Sequence, residues 1–416
     1  MKLLLLNSLA GFGGAERALL EVVASLSESS RDCEIFVILG EPGSLEDDLR
    51  TFGASVTVAP MPAGLASAGD ASAGGPSGTS VSPWNVLLRL GVASPWIAAY
   101  TRRLGRIIAQ VGPDLVHTNG FKMHLMGVWA APRSVPVVWH IHDFVGSRPL
   151  MSRLLRLNTG RCAAIIANSD SVAADVRTML GREREVTTIY NSVDLQTFAP
   201  TGPRADLDAL AGMSAAPPDA VRVGLLATMA RWKGHEVFLR ALAMLGELNL
   251  RAYIIGGPVY RTVGSQHTLE ELRQMVSAFG LDARVGFTGF VRDPAAALRA
   301  LDIVIHASTA PEPFGLAIAE GLACGRAVIV SRAGGAMEII REGSDALAHR
   351  AGDPGDLART IAHLANDANL RHALGAAARA TAERSFTRAR LGLDLNSLYG
   401  TVMKGAANGQ NAAAAH

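Results

Sequence analysis

Short apolar runs alternate with amphipathic helical stretches along most of the chain. Runs such as 2–6, 221–227 and 302–306 are bounded by turn residues and are short, which predicts strands that are buried on both faces. Helical spacing follows many of these runs, for example from Gly14 and from 269 to 279. Strands that alternate with helices are typical of parallel sheets covered by helices on both faces. The pattern therefore predicts an α/β fold.

The alternation occurs in two halves, which are separated by a stretch rich in Pro, Ala and Gly at about 199–220. With 416 residues, of which 49% are hydrophobic and 18% charged, the chain is large and apolar enough for two domains. We expect an N-terminal domain at 1–198, a C-terminal domain at 199–385 and a last helix at 386–400. Two biased segments predict a flexible insertion at about 60–83 and a disordered tail at 405–416. The Asp206-Leu207-Asp208 sequence in the linker is interpreted as surface charge.

A loop with two acids follows the apolar run 302–306. Residues 311–321 read Pro-Glu-Pro-Phe-Gly-Leu-Ala-Ile-Ala-Glu-Gly, with helical spacing from Leu316. The N–H groups of the helix's first turn would form an anion site. Glu312 lies in the loop, and Glu320 lies in an apolar helix, where an acid is costly unless it is bonded.

The spacing of these two acids limits their chemistry. Along the chain, Glu312 and Glu320 are on the order of 10 Å or more apart, whereas a retaining glycosidase pair needs about 5 Å. The acids are therefore better suited to holding two ends of one long ligand. The alternative is a loop Glu and a partly exposed helical Glu that bind nothing.

Two other loops have the composition of phosphate sites. Gly13 and Gly14 lie between a predicted strand and a helix, an arrangement that cradles phosphates. Glu16 stands where a dinucleotide fingerprint requires a third glycine, which weakens a nicotinamide interpretation. Arg231 and Lys233 follow the strand at 221–227, and such a pair suits a diphosphate leaving group. A tight turn and solvated basic residues remain the alternatives.

Histidines end two predicted strands, at 114–117 and 137–143. Open α/β sheets bind ligands at the carboxyl ends of their strands, so this edge is a candidate site. No accompanying zinc-ligand spacing is present, and we predict no metal site. His117 and His140 are interpreted as structural.

Taken together, Glu312, Phe314, Gly315 and Glu320 resemble the signature of family 4 glycosyltransferases, which are retaining enzymes of the GT-B fold. The similarity runs from Gly13 to the last helices. It implies two Rossmann-like domains with parallel sheets facing a central cleft, and a last helix that crosses back to the first domain. It also implies transfer of a sugar from a nucleotide-diphosphate donor without a metal or other cofactor, with the leaving phosphate helping to deprotonate the acceptor.

The resemblance also assigns roles to residues. Glu320 is expected to bind ribose hydroxyls, Glu312 the donor sugar, and Lys233 the departing diphosphate. The family's Gly-Arg falls at Ala227-Thr228, so Arg231 is the candidate replacement for the absent arginine. The predicted catalytic residues are His142, Glu312 and Lys233. The predicted donor- and substrate-binding residues are Gly13, Gly14, Arg231, Lys233, Val291, Glu312, Phe314, Gly315, Leu316 and Glu320.

Positive charge is concentrated at 81–161. This stretch holds ten basic residues against two acids, Asp114 and Asp143, in a chain of net charge +2, together with Trp84, Trp96 and Trp129. Such a surface suits an anionic membrane or a phosphorylated acceptor, and ordinary solvated helix faces are the alternative. The low net charge predicts no nucleic-acid partner.

The expected function is a hexosyltransferase that uses a UDP- or GDP-linked sugar. The expected acceptor is a sugar, a glycolipid, a small molecule or a lipid-linked intermediate of polysaccharide or cell-envelope synthesis. Three scattered cysteines and the absence of an apolar run of about 18 residues predict a cytoplasmic protein, with peripheral membrane contact left open. Alternatives are a sugar-nucleotide epimerase or hydrolase, a non-catalytic nucleotide-sugar-binding protein and a nicotinamide oxidoreductase.

Overall fold

The computed structural model describes residues 1–11, 13–30, 32–62, 83–181, 185–246, 248–258 and 264–414. At 83–94 and 409–414 it describes the backbone alone. The described chain forms two compact units. The first comprises Met1–Ser192 together with Arg388–His416, and the second comprises Val193–Thr387. The predicted insertion at 60–83 lies, from 63 to 82, outside the described residues.

The first unit contains a seven-stranded parallel sheet in the order β3-β2-β1-β4-β5-β6-β7. Its strands are β1 (Lys2–Asn7), β2 (Glu34–Leu39), β3 (Ser55–Val58), β4 (Leu115–Asn119), β5 (Val137–Ile141), β6 (Ala164–Ala167) and β7 (Val186–Thr188). Its first helices are α1 (Gly14–Ser29), α2 (Leu45–Thr51), α3 (Pro83–Val111), α4 (Phe121–Ala130), α5 (Pro149–Asn158) and α6 (Asp170–Leu180).

The second unit contains a six-stranded parallel sheet in the order β10-β9-β8-β11-β12-β13. Its strands are β8 (Val221–Leu226), β9 (Leu250–Ile255), β10 (Val285–Gly289), β11 (Ile303–Ile305), β12 (Ala327–Ser331) and β13 (Leu347–His349). Its helices are α7 (Leu207–Leu210), α8 (His235–Ala243), α9 (Leu269–Ala278), α10 (Pro294–Arg299), α11 (Leu316–Ala323), α12 (Pro354–Asn366) and α13 (Ala368–Ser385), and α14 (Arg388–Ala414) returns to the first unit.

The apolar runs are central strands buried on both faces, as predicted. In β1, Leu4 and Leu6 belong to one hydrophobic cluster, and Leu3 and Leu5 belong to another on the opposite face. All four side chains are fully buried, and each contributes about 2 kcal/mol of hydrophobic free energy relative to an exposed side chain. The prediction of parallel α/β layers is confirmed.

The strand order of each sheet reverses at one point. In the first sheet the chain moves outward in opposite directions from β1 and β4, and in the second it does so from β8 and β11. The register pairs Val223 with Ile303 and Leu225 with Ile305, so β8 and β11 end side by side. Loops that leave the carboxyl ends of such strands border a crevice that binds ligands in α/β proteins. In the second unit these are the loops that carry Lys233 and Glu312.

The last helix packs against the rest of the first unit through buried and partly buried polar contacts. Arg388 donates two hydrogen bonds to Glu21 of α1, at 2.9 and 2.8 Å, and the Tyr399 hydroxyl lies 2.7 Å from His117 Nδ1. The helix continues to Ala414, through part of the segment for which the composition predicts a disordered tail from 405. The alanine-rich composition that suggested disorder also has the highest helix propensity.

The interpretation of Asp208 as surface charge is wrong. Its side chain is buried in the second unit, where it accepts hydrogen bonds from the Tyr253 hydroxyl at 2.9 Å and the Ala216 N–H at 2.9 Å. Arg251 Nε lies 3.5 Å from the same carboxylate. No local pattern predicts this contact, because Asp208 and Tyr253 are 45 residues apart along the chain.

Replacing Tyr399 by Phe should lower the free energy of unfolding by about 1 kcal/mol. The change removes the hydroxyl next to His117 and leaves a buried ring nitrogen without its partner. Urea unfolding of the full chain measures this loss, and Leu393→Ala, at an exposed position of the same helix, serves as the control. An unchanged midpoint for Tyr399→Phe would contradict the assigned hydrogen bond.

Candidate functional site

A buried ion pair joins the two loops at the strand reversal of the second sheet. Lys233 Nζ lies 2.9 and 2.8 Å from the two carboxylate oxygens of Glu312. The side chains are 19% and 8% exposed, so the pair is largely shielded from water. Lys233 Nζ also lies 4.0 Å from the centre of the Trp232 ring, a cation–π contact that further fixes the ammonium group.

Two further side chains hold the Glu312 carboxylate. Ser308 Oγ donates to Oε2 at 2.9 Å, and His306 Nε2 lies 3.0 Å from the same oxygen. The Ser331 N–H donates to His306 Nδ1 at 3.3 Å, which leaves the proton of a neutral ring on Nε2. His306 therefore also donates to Glu312. Sequence reasoning missed His306 and Ser308, although both follow β11 directly in the chain.

These contacts keep Glu312 ionised. Burial alone would raise its pKa, but the charge of Lys233 and the hydrogen bond from His306 outweigh that effect and hold the pKa far below its usual range. A carboxylate in this state accepts hydrogen bonds only. Its natural ligands are hydroxyl or N–H donors.

The backbone around Glu312 is fixed by the loop that follows β12. Gly335 N–H donates to the Glu312 carbonyl at 2.7 Å, and Glu312 N–H donates to the Ala333 carbonyl at 3.3 Å. Gly334 has φ of +67°, and a Cβ there would lie 2.6 Å from the Glu312 carbonyl oxygen. This glycine is required because the two chain segments approach so closely.

A second glycine fixes the loop that carries Lys233. Gly234 has φ of +76°, and a Cβ at this position would lie 1.8 Å from the Ala307 carbonyl oxygen. In addition, the Thr309 N–H donates to the Trp232 carbonyl at 2.7 Å. The loop after β8 is thus bonded to the loop after β11, which brings Lys233 to Glu312.

The N-terminus of α11 lies just beyond Glu312. Gly315 caps the helix with φ of +100°, and its carbonyl accepts from Ile318 and Ala319. Within the described part of the chain, the N–H groups of Leu316 and Ala317 donate to no acceptor. The Phe314 side chain is buried against Phe386, with ring centres 5.9 Å apart, so only its backbone is placed to meet a ligand.

Glu320 lies in the second turn of α11 and is 2% exposed. Its neighbours in the helix, Ile318, Ala319 and Leu322, are fully buried. The acid therefore lies in an apolar setting, as the sequence suggested, and its proposed contact with ribose remains a prediction.

Arg231 is held away from the ion pair. Its guanidinium donates to Glu271 at 2.9 and 3.1 Å, to the Gly264 carbonyl at 3.1 Å and to His267 Nδ1 at 3.1 Å. In this arrangement no hydrogen bond or ion pair joins the Arg231 guanidinium to the Lys233 or Glu312 side chain. The Thr228 hydroxyl, at the position of the family's arginine, is buried and has no hydrogen-bond partner among the described residues.

Val291 follows the carboxyl end of β10 and is half-buried. The neighbouring Phe290 is 63% exposed, and a Cβ on Gly257, which follows β9, would lie 2.7 Å from its ring. These residues therefore share the carboxyl edge of the second sheet with Lys233 and Glu312. Their role in base recognition stays a prediction.

In the first unit, the carboxylate of Glu16 lies at the glycine loop of Gly13 and Gly14. Gly13 caps α1, and a Cβ at Gly13 would lie 2.3 Å from Glu16 Oε2. The Glu16 carboxylate accepts hydrogen bonds from the backbone at Gly13 and Glu16 and from Asn7. Burial nevertheless raises its pKa. The N-terminus predicted to bind phosphate at Gly13 and Gly14 is thus capped by Glu16.

Four histidines cluster near the carboxyl edge of the first sheet. The ring centres of His140 and His142 are 4.0 Å apart, those of His117 and His140 are 5.2 Å apart, and His124 stacks on Trp139 at 5.6 Å. Both ring nitrogens of His140 and of His142 are buried, with no hydrogen-bond partner among the described residues.

Burial lowers the pKa of all four rings. The pKa values of His117 and His142 fall to about 3, and those of His124 and His140 lie well below the usual value. His142 is therefore neutral at pH 7 and can act as a hydrogen-bond donor or acceptor but not as a cation. No group of three His, Cys, Asp or Glu residues in the described ranges is arranged to hold a metal.

The Lys233–Glu312 pair can be tested by a double-mutant cycle. Lys233→Met and Glu312→Gln should each lower the free energy of unfolding by about 3 kcal/mol, because each leaves a buried partner uncompensated. The double variant should lose less than the sum of the two. Urea unfolding at pH 7 gives these values. The exposed Arg240–Glu236 pair provides a control cycle with an expected coupling below about 0.5 kcal/mol; additive losses at Lys233 and Glu312 would rule out the buried pair.

Stability should fall as the pH decreases from about 6.5 towards 3. The four histidines are neutral in the folded chain, whereas the unfolded chain binds protons in this range, so each can cost up to about 1.4 kcal/mol per pH unit. Urea midpoints measured from pH 7.5 to 5 should decrease less steeply for His117→Gln/His140→Gln. Leu393→Gln, an exposed change that removes no titrating group, should keep the wild-type slope. Identical slopes in all three proteins would contradict the assignment.

Both halves of the chain match models of glycosyltransferase families. Residues 12–197 match Glycosyltransferase Family 4, and residues 214–381 match Glycosyl transferases group 1. These two regions correspond to the two sheet-containing units. Together they include every element of the second-sheet site described above.

Curated relatives are similar over much of the chain. N-acetyl-alpha-D-glucosaminyl L-malate synthase of Bacillus anthracis is 21% identical over 76% of this chain and 82% of its own length. D-inositol 3-phosphate glycosyltransferase of Thermobifida fusca is 29% identical, over 64% of each protein. The chain thus spans just under two thirds of the second relative.

Solved structures share the fold. The crystal structure of Anabaena HepE in complex with UDP and glucose superimposes with a TM-score of 0.77 and 26% identity, covering 96% of this chain and 99% of HepE. Sucrose-phosphate synthase from Thermosynechococcus elongatus gives a TM-score of 0.75 at 19% identity over 97% of this chain and all of its own, which shows the fold alone. The predicted GT-B fold class is confirmed, and the chain belongs to the family 4 glycosyltransferases.

Proposed function

We propose that this chain transfers a sugar from a nucleotide-diphosphate donor to an acceptor hydroxyl, and that the donor binds at the carboxyl edge of the second sheet. The observation that carries the proposal is the buried Lys233–Glu312 pair next to the N-terminus of α11. A cation, a hydrogen-bond-accepting carboxylate and two N–H groups without acceptors meet at one strand reversal. This set matches the chemistry of a diphosphate attached to a sugar.

The two charges have separate partners in the donor. Lys233 would bind the diphosphate oxygens and stabilise the negative charge that develops as the sugar leaves. Glu312 would accept hydrogen bonds from sugar hydroxyls, with its orientation fixed by His306 and Ser308. The N–H groups of Leu316 and Ala317 would bind phosphate or sugar oxygens. Donor binding then replaces the direct Lys233–Glu312 contact by contacts to the ligand.

The other predicted residues complete this proposal. Glu320 would bind ribose hydroxyls, Val291 would meet the base through its backbone, and the backbone of Phe314 and Gly315 would contact the sugar. Arg231 would reach the diphosphate only after leaving Glu271. Gly13 and Gly14 would contribute to substrate binding, and His142, which is neutral, would contact the transferred sugar. We further propose retention of configuration, no metal requirement, and the leaving phosphate as the acceptor's base.

UDP is the proposed nucleotide, with GDP as the second choice. Support comes from HepE, whose crystal structures include complexes with UDP and with UDP-glucose. HepE is 26% identical to this chain. The nucleotide base is therefore varied in the binding screen described below.

The proposed acceptor is a sugar or glycolipid of cell-envelope or polysaccharide synthesis, encountered at the cytoplasmic face of a membrane. Relatives support this class in general terms, since one is named a lipopolysaccharide core biosynthesis glycosyltransferase from Rhizobium meliloti, at 31% identity over 54% of this chain. No described helix is long and apolar enough to cross a bilayer. A sugar-nucleotide hydrolase or epimerase and a non-catalytic binding protein remain the rival functions.

A thermal-shift screen of UDP, GDP and ADP tests the donor site. A nucleotide at 100 times its dissociation constant should stabilise the wild type by about 2.7 kcal/mol. Lys233→Met and Glu320→Gln should abolish most of this shift, whereas Arg240→Ala, an exposed change in the same unit, should retain it.

The outcomes separate the rival functions. Stabilisation by one nucleotide, with loss in both variants, supports the donor site, and the matching nucleotide sugar is then incubated with and without candidate acceptors. Sugar release without acceptor would favour a hydrolase, and binding without turnover would favour a binding protein. Equal shifts in wild type and variants would exclude this site.

A further inference from the structure

One face of α5 exposes apolar and basic side chains together. Leu150, Arg153 and Leu157 recur at helical spacing on this face and are exposed, with Leu157 81% accessible to solvent. The opposite face is packed, since Ser152 and Leu155 are buried. The helix contains no acid. An exposed leucine is common, but two on one short basic helix suggest a surface that is covered in use.

Neighbouring helices extend this face. The Trp129 indole N–H at the end of α4 donates to Asn158 at the end of α5, at 2.7 Å, and the Trp129 side chain remains 40% exposed. On the other side of α4, a Cβ on Gly105 of α3 would lie 3.2 Å from the Ala130 carbonyl oxygen, so the two helices are in close contact. The basic apolar patch is defined by Trp129, Arg133, Leu150, Arg153, Arg156 and Leu157.

The arginines of this surface have no carboxylate partner. Arg133, Arg153 and Arg156 of the patch, and Arg102, Arg103 and Arg106 on the adjacent α3, are all exposed, and none forms an ion pair in the described part of the chain. The two acids of the region are engaged elsewhere. Asp143 pairs with Arg148 at 3.2 Å, and Asp114 accepts from the Lys2 N–H at 2.7 Å.

Some exposed arginines of the second unit are paired with carboxylates. Arg240 pairs with Glu236 at 2.7 Å, and Arg359 pairs with Asp356 at 2.8 Å. Arg204, Arg273, Arg292 and Arg341 of the second unit are exposed and form no ion pair in the described part of the chain. What distinguishes the first unit's helical face is therefore the combination of six such arginines with exposed leucine and tryptophan side chains. An anionic partner that also offers an apolar layer would be attracted to this face.

We propose that the basic apolar patch binds the surface of an anionic lipid bilayer, with α5 lying in the interface. Leucine and tryptophan side chains gain free energy by entering the headgroup and acyl boundary, while arginines pair with lipid phosphates. A nucleic acid or a soluble polyanion would satisfy the arginines but would leave Leu150 and Leu157 in water. The combination of the two residue types therefore favours a membrane over these partners.

The patch also bears on the proposed function. If the acceptor is lipid-linked, which rests on that proposal, then binding to the bilayer holds the enzyme at the surface where its acceptor lies. Membrane binding requires neither donor binding nor sugar transfer. Either proposal, membrane binding by the patch or sugar transfer, can therefore be disproved without the other.

Co-sedimentation of the full chain with vesicles tests the inference. Phosphatidylcholine vesicles with about 30% phosphatidylglycerol should bind the protein, pure phosphatidylcholine vesicles should bind it much more weakly, and added salt should release it. Arg153→Gln/Arg156→Gln should weaken binding on the order of 30-fold, since each arginine near an anionic surface contributes about fivefold. Leu150→Asn/Leu157→Asn should weaken it roughly tenfold or more.

Matched controls come from the second unit. Leu210→Asn, at a position 50% exposed, and Arg359→Gln should bind vesicles like the wild type. All patch variants should keep the wild-type unfolding midpoint and UDP shift, and Lys233→Met should keep vesicle binding. Absence of binding to anionic vesicles would overturn the inference. Wild-type vesicle binding by Leu150→Asn/Leu157→Asn would also overturn it, because the protein would then bind the vesicles through charge alone.

Discussion

The candidate site depends on a buried lysine and glutamate that neutralise each other at the strand reversal of the second sheet. Neither charge would be stable alone in that position, since removing a buried ion from water costs several kcal/mol. The surrounding side chains lower this cost, because Lys233 bonds both oxygens of the Glu312 carboxylate and His306 and Ser308 also bond Oε2. A ligand with a diphosphate and hydroxyl groups offers both residues replacement partners. The pair is thus stable without ligand and also suited to binding one.

Backbone geometry makes this pair possible. Lys233 and Glu312 are 79 residues apart and meet because β8 and β11 are neighbours in register. Gly234 and Gly334 then allow the loops to approach to distances that no side chain would permit. A substitution at either glycine would displace a whole loop and with it one of the two charges. The glycines are therefore as important to the site as the charged residues, although they carry no chemistry.

The sequence predicted the elements of the fold well and indicated which loops carry the charged residues of the candidate site, because both are encoded locally. Apolar runs identified the parallel strands, and the acids of the Glu312 loop were recognised from eleven consecutive residues. Contacts between distant segments could not be predicted in this way. The sequence pattern placed His306 and Ser308 in a strand and the turn after it, and it indicated a charged linker residue for Asp208. Glu16 was considered only as the residue that stands where a dinucleotide fingerprint requires a glycine. In each case the role comes from a partner that the sheet topology brings close.

The two units solve the problem of buried polar groups in opposite ways. In the second unit, opposite charges meet, so the pKa of Glu312 stays low and the carboxylate remains charged. In the first unit, the histidine rings are buried without a carboxylate partner among the described residues, so burial favours their neutral form. The pKa values of His117 and His142 are accordingly lowered to about 3. A neutral imidazole can donate or accept hydrogen bonds without attracting the diphosphate, whereas a lysine attracts it strongly. This difference in charge, set by burial and by the available partners, supports the proposal that donor phosphates bind at Lys233 and that any ligand contact of His142 is uncharged.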